Sequence, residues 1–331
     1  MTYSSENTIN GIAKGEEFRI RMRGGLSPEI VRELSILSPM RATLSLVLNW
    51  GSIALFITAA TWWPHPFMIG LAVLGIAASQ HGLAVLAHES AHYRMYQTGW
   101  LNDLVGCLCA IPLGLSMMTY RLVHRIHHNH LYESIDPDLA LIAGYPRGRL
   151  YLLKKLAKDL VGITVLKNYR YFFGKNALGS SSLPGIDDTS PRLKQAAARD
   201  RKLVIVLQVA ALIFFIIMGW WQAYLLLWVL PLISVLQVIL RLRAICEHGA
   251  VTDTTIPTKA ARTTLVPFWI GWILFPHQVN YHIEHHLYPS VPHYRLAECH
   301  HRLCETGLLV DAEVATTLSA TLRKIFASPA L

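Results

Sequence analysis

The chain has 331 residues, of which 53% are hydrophobic and only 15% charged, with a mean hydropathy of +0.35. This balance excludes an ordinary soluble domain and fits an integral membrane protein. The formal net charge of +9 is no argument for nucleic acid, because no basic motif of a nucleic-acid-binding fold accompanies it, and basic cytosolic loops give the same excess.

Residues 1–42 are polar and hold six of the 30 Lys and Arg. They read as a cytosolic N-terminal segment without a signal peptide, since the first apolar stretch is too long for a signal core. A bilayer crossing needs about 20 apolar residues. Four segments approach or meet that, at 43–63, 67–87, 203–219 and 222–240. Three residues, Pro64, His65 and Pro66, separate the first two, and Trp220 with Trp221 separates the last two. Each pair is therefore expected to form a tight hairpin, with Trp62, Trp63, Trp220 and Trp221 at the headgroup level that amphipathic rings favour.

The basic residues then orient the chain. Sixteen lie between the second and third spans, eight follow the fourth, and neither short turn carries any. The excess of Lys and Arg on the cytoplasmic side of membrane proteins places both termini and the central loop in the cytoplasm; a bacterial inner membrane is the expected location.

Two shorter apolar stretches, 101–120 and 264–275, are expected as re-entrant or interfacial helices. Pro112 and the Asn102-Asp103 pair weaken the first as a span. Residues 149–173 form a basic amphipathic pattern suited either to anionic lipid or to packing on a cytosolic cap. Residues 176–192 read as a polar Gly/Ser/Pro loop. The five cysteines are odd in number and lack zinc-ribbon spacing, so reduced thiols are expected. The predicted fold is an all-α integral membrane protein, one domain over 1–331. It has four transmembrane helices in two hairpins, a cytosolic helical cap and interfacial helices.

The 16 histidines are not scattered. His88 and His92 flank Glu89 in "HESAH", His124, His127 and His128 fall in "HRIHH", and His282, His285 and His286 in "HIEHH". His248 follows in "CEHG". On a helix, positions i, i+3 and i+4 share a face, so each H-x-x-H-H box is expected to aim three imidazoles at one point. All four groups lie near the cytoplasmic ends of the predicted spans. Nine imidazoles exceed the four ligands of a tetrahedral zinc site and suit two iron ions that keep positions open.

In these motifs and in the two-hairpin layout, over about 40–305, the chain resembles the membrane fatty acid desaturase superfamily with its three histidine boxes. The resemblance implies a non-haem di-iron centre held by His88, His92, His124, His127, His128, His282, His285 and His286. His248 matches the further histidine that joins the site in better understood members. It also implies O2 as co-substrate and removal of hydrogen from an unactivated C–H bond, giving an alkene, or an alcohol if oxygen is returned. In the stearoyl-CoA type an Asn stands four residues before that histidine, where this chain has Ala244. Asn280 is the candidate for a related supporting role. Glu89, Asp136 and Asp138 are candidates to orient ligands through their other ring nitrogen; for Asp136 and Asp138, a turn role beside Pro137 is the alternative. His81, His130, His277, His293, His300 and His301 are expected to be structural, supporting or surface residues.

Two rivals from other classes use fewer of these residues. A zinc protease would need only His88, Glu89 and His92 plus one distal ligand, and it would leave both H-x-x-H-H boxes without purpose. A metal transporter would carry its ligands within the spans. Inside the superfamily, a hydroxylase, an acetylenase or a carotenoid ketolase/hydroxylase stays open. The expected reaction is desaturation of an acyl or similar lipid chain, presented as a thioester, an acyl lipid or a free acid. No haem, iron–sulfur or flavin signature is present, so electrons must come from a separate donor, a ferredoxin or cytochrome b5 with its reductase. The basic cytoplasmic surface suits an acidic carrier.

Overall fold

The computed structural model describes residues 25–142, 144–172 and 191–327. Most of the expected polar loop at 176–192 lies outside them, as do residues 1–24. A short helix α1 (Pro28–Leu34) leads to α2 (Pro39–Trp62) and α3 (Pro66–Ala91). Both long helices open with proline at the first turn, where its missing N–H would be unpaired anyway. Ser38 caps α2 by accepting from the Arg41 amide, and His65 caps α3 by accepting from Phe67. The first long helix thus begins four residues before the expected span.

α2 and α3 pack as a close pair. A Cβ at Gly82 would lie 1.9 Å from Asn49 Oδ1, and one at Gly75 would strike the Phe56 ring at 2.3 Å. Small residues at these crossings let the two helices approach, and Asn49 donates to the Ser79 carbonyl at 2.8 Å across them. From Gly75 onward nearly every residue of α3 is buried. α3 is the central helix.

The next pair, α4 (Gly99–Ala110) and α5 (Met117–Asn129), is joined by a 3-10 turn at Ile111–Leu113, and the two arms are bent by 98°. α4 starts eight residues after α3 ends, and α5 brings His124 back to within 2.8 Å of His92. The chain therefore goes in and returns to the same end, as a re-entrant element. Its turn carbonyls are each capped by a side chain. Gln208 donates to Ile111, Trp228 Nε1 to Pro112 at 3.1 Å, and Tyr169 Oη to Leu113 at 2.6 Å. Broken backbone within an apolar layer needs such partners, because no water is there to supply them.

The basic amphipathic stretch is two helices rather than one, α6 (Arg149–Leu160) and α7 (Val165–Phe172). Gly162, at φ 75°, turns the chain between them. α8 (Pro191–Ile217) and α9 (Trp221–His248) follow. α9 is irregular in its first half, with a π segment at Leu225–Val229 and a break at Ser234. Pro231 causes this: it donates no hydrogen bond and its ring crowds the carbonyl four residues back. Among the described helices, three are long and apolar enough to cross a membrane, Pro39–Trp62, Pro66–Ala91 and Trp221–His248. α8 falls short of that measure. Asp200, Arg201 and Lys202 lie within the helix, and its longest charge-free run is 203–217.

Beyond α9 the chain builds a cap from α10 (Phe268–Leu274), α11 (His282–Leu287), α12 (Leu296–Thr306) and α13 (Leu318–Phe326). The cap has its own apolar core around Ile283, Leu296, Cys299 and Leu303, which also covers Leu34 of α1. One departure from an all-helical fold is a two-residue parallel pair, Thr263–Thr264 with Val314–Ala315. The buried Arg262 beside it donates to the carbonyls of Cys246, Gly249 and Ala250 and to Glu313 at 3.1 Å. This one side chain ties the end of α9 to the cap. All five cysteines are free thiols.

Candidate metal centre

The ends of α3 and α9 meet α5 and α11 beneath the cap, and the histidines stand at that junction. Their ligand-capable nitrogens gather in two groups, each within 4.8 Å: His88, His92, His124, His128 and His285 in one, and His127, His248, His282 and His286 in the other. All nine expected residues are in these groups, and none of the remaining histidines is.

The boxes do not each serve one point, as their spacing suggested. Successive residues turn by 100°, so i+3 and i+4 diverge to opposite sides of i. In α5, His124 and His128 enter the first group while His127 turns to the second. In α11 the split is reversed, with His282 and His286 in the second group and His285 in the first. The eight box residues thus divide five to three, and His248 brings the smaller group to four.

Within each group Nε2 atoms face one another. His92 and His124 are 2.8 Å apart, His124 and His128 2.9 Å, His128 and His285 3.0 Å, His248 and His282 2.9 Å, and His282 and His286 3.2 Å. His88 Nε2 is buried without a partner. The opposite ring nitrogens show which tautomers these are. His248 Nδ1 lies 3.2 Å from the Ala260 carbonyl oxygen, which can only accept, so His248 Nε2 carries a lone pair. His88 Nδ1 pairs with Glu89 at 3.1 Å, and His127 Nδ1 with Asp136 at 3.0 Å. Two nitrogens bound at about 2.1 Å to one ion lie about 3.0 Å apart at 90° and about 3.4 Å apart at a tetrahedral angle. The observed spacings match the right-angled arrangement of a five- or six-coordinate ion, so the residues fit such a metal.

Burial reinforces this. It pushes the His92 imidazole down to about 3. Burial, with the neighbouring histidines adding to it, holds His282, His285 and His286 well below their ordinary range. These rings are neutral at cellular pH, the form that binds metal.

The supporting residues divide. Glu89 holds His88 with one oxygen and accepts from the His293 amide at 2.9 Å with the other. Asp136 holds His127 while also accepting from the Tyr132 and Asp138 amides, so one carboxylate both fixes that ring and braces the turn. Asp138 Oδ2 stands 3.5 Å from His127 Nδ1. Asn280 is turned elsewhere, donating to the Thr264 carbonyl at 3.1 Å. Two residues were not anticipated. Glu247 lies 3.5 Å from His282 Nδ1 and pairs with Arg243 at 2.7 Å. Tyr132 Oη donates to the His248 and Ala260 carbonyls at 2.7 and 2.9 Å. The "EH" of "CEHG" mirrors the "HE" of "HESAH" and was the available signal for Glu247; nothing local marks Tyr132.

A cavity of about 880 Å³ reaches the centre. His124, His127, His248 and His282 are in its lining, and Leu232, Leu236 and Leu240 of α9 form part of its apolar wall.

The fatty acid desaturase family profile matches residues 46–312. The chain belongs to this family. Among curated relatives, dihydrorhizobitoxine desaturase of Bradyrhizobium elkanii is 26% identical, covering 82% of this chain and 78% of its own. Ceramide hydroxylase of Caulobacter vibrioides is 25% identical over 80% and 79%. A ferredoxin-dependent sn-1 acyl-lipid omega-3 desaturase of Nostoc is 25% identical over 65% and 61%. Membership in the fatty acid desaturase family, with the apolar helices described above, makes the chain an oxidoreductase integral to a membrane.

Proposed function

We propose that the chain is an O2-dependent di-iron desaturase that introduces a double bond into a fatty acyl or similar lipid chain. The observation that carries the reading is the pair of largely buried histidine groups opening on a cavity with an apolar wall. His88, His92, His124, His128 and His285 would hold one iron; His127, His248, His282 and His286 would hold the other. Two iron ions bound there supply the O2 chemistry that no side chain can perform. The net reaction balances as R–CH2–CH2–R′ + O2 + 2 e− + 2 H+ giving R–CH=CH–R′ + 2 H2O. Electrons come from a separate carrier, a ferredoxin or cytochrome b5 with its reductase.

The protein's own part is to orient and to exclude. Glu89, Asp136 and the Ala260 carbonyl fix the Nδ1 protons of His88, His127 and His248, which keeps each Nε2 lone pair aimed inward. The leucines of α9 keep the chain dry. Glu89, engaged on both oxygens, is poorly placed to serve as the base of a zinc protease. Four crossings, α2, α3, α8 and α9, put both termini and the centre on the cytoplasmic side of one membrane domain. Reporters at the termini are expected to read as cytoplasmic, and tags at 63–65 and 218–220 as external.

A second reading, hydroxylation, is favoured by the similarity to ceramide hydroxylase over 80% of the chain. One experiment separates the two. Iron and zinc are measured in protein purified from membranes, and lipids of a host expressing it with a redox donor are examined by mass spectrometry. A product lighter by two hydrogens supports the desaturase, and one heavier by one oxygen the hydroxylase. Zinc without iron would sink both.

A further inference from the structure

The α6–α7 hairpin contributes nothing to the histidine groups, yet it lines the same cavity. α6 runs antiparallel to α9. Leu152 shares an apolar cluster with Ile245, Asp159 forms a buried ion pair with Arg241, and a Cβ at Gly162 would lie 3.3 Å from the Ile233 carbonyl oxygen. Ile233 is 12 residues beyond Trp221, about 18 Å of helix rise. With Trp221 at the outer interface, the turn at 161–164 lies well inside a hydrocarbon layer of about 30 Å. At that level the chain exposes Leu160, Val161, Ile163 and Leu166, the last by 77%. α7 then climbs back, with Asn168 donating to Gln237 at 2.8 Å.

Above this apolar tip sit Lys154, Lys155 and Lys158 on α6 and Lys167 on α7. Long cationic side chains there can reach the headgroup level while their stems stay in apolar surroundings. Lys155 and Lys167 also line the cavity, beside Thr164 and Asn168. The cavity therefore has two lysines in its lining beside a lipid-exposed turn, which we take as its mouth, with leucines of α9 and histidines in the rest of its lining. Arg241 and Arg243, the other cations in the lining, are already paired, with Asp159 and Glu247.

We propose that the substrate is a lipid with an anionic, phosphate-bearing headgroup that enters sideways from the cytoplasmic leaflet. The hairpin tip sits among acyl chains, Lys155 and Lys167 take the phosphate, and the tail lies along Leu240, Leu236 and Leu232. This deepens the desaturase reading, on which only the fate of the tail depends. A water-soluble acyl thioester of coenzyme A also carries phosphates, but it would meet an apolar turn rather than water at this mouth.

The test uses the full chain in nanodiscs and three probes with the same photoactivatable acyl chain, attached to phosphatidylglycerol, phosphatidylcholine or coenzyme A. Crosslinks to the peptide containing 232–240 are counted by mass spectrometry, and iron is measured on the same samples. Phosphatidylglycerol is expected to label that wall roughly 5–30-fold more than phosphatidylcholine, the preference two surface lysines give toward an anionic lipid. The double variant Lys155→Glu/Lys167→Glu should bring the two lipids level with iron content unchanged. Equal labelling by both lipids, or undiminished preference in the double variant, overturns headgroup selection. Stronger labelling by the coenzyme A probe overturns entry from the bilayer. An iron-free protein that still prefers phosphatidylglycerol would refute the desaturase reading and leave this one standing.

Discussion

His248 and His282, on α9 and α11, face each other Nε2 to Nε2 at 2.9 Å. With His248 Nδ1 against the Ala260 carbonyl, the pair presents a lone pair that needs a cation or a proton between the rings. Removing either ring leaves the smaller group with three imidazoles. His248→Ala and His282→Ala are expected to insert in the membrane, bind clearly less than two irons and lose nearly all turnover. Ala at His88, His92, His124, His127, His128, His285 or His286 should abolish turnover as well. Iron by mass spectrometry, alongside turnover, checks this. Full iron and normal turnover in His248→Ala would remove it from the ligand set.

The carboxylates that hold His88 and His127 act one step away from the candidate centre. Asp136→Asn keeps the shape but weakens the hold on the His127 proton, and Glu89→Gln does the same for His88. Loss of such a partner costs about 10–100-fold in metal affinity or activity. Asn280→Ala, whose side chain bonds the Thr264 carbonyl, should leave iron affinity within about threefold of wild type, well short of that loss. Competition with a chelator of known affinity distinguishes the three.

Glu313 gives the cap a dependence on acid. Burial alone would raise its carboxyl, but the bond from Lys324 and the nearby Arg262 outweigh that and hold it below its ordinary value. A carboxylate with a depressed folded value stabilises above its unfolded value, near 4.5, and that contribution is lost as pH falls through the lowered one. Wild type should lose thermal stability on acidification below about pH 5 more steeply than Glu313→Gln. At pH 7 the variant should already unfold at a lower temperature. Melting curves in detergent at several pH values measure both effects.

Two glycines of the first hairpin should respond in opposite ways to alanine. At Gly82 the new Cβ would fall 1.9 Å from Asn49 Oδ1, whereas at Gly51 nothing lies within 4 Å. Gly82→Ala must displace Asn49 and should cost about 1–3 kcal/mol. Gly51→Ala should be neutral or stabilise by about 0.5–1 kcal/mol. Thermal unfolding of the two variants side by side decides it, and similar melting temperatures would contradict the close α2–α3 contact.

That eight of the nine clustered histidines would gather was legible in the sequence, because imidazoles repeated at i+3 and i+4 beside apolar spans converge; His248 lies in no such repeat and came from the family resemblance alone. α2, α3 and α9 followed from composition in the same way. α8 fits less well, because Asp200 does not belong to an apolar span. It is buried against α5, where it accepts from Ser116 and the Met118 amide. Pairings far apart in the chain were not legible. Thr263 beside Val314, Arg262 on Glu313 and Tyr132 under His248 have no local pattern. Nor could spacing show how the boxes divide their imidazoles between the two groups, since that depends on which side of each helix the partner helix stands.

If each group holds an ion, that sharing would couple the two ions mechanically. α5 and α11 each grip both sites, so an ion arriving at one site sets the rotation of two helices that also carry ligands for its neighbour. The first ion to bind bears the cost of aligning them, and the second finds them aligned. Loading with ferrous iron should therefore be cooperative, passing from empty to two ions with little of the half-filled protein on the way. Two full and independent binding steps would mean that the helices already stand in their final rotation before any metal arrives.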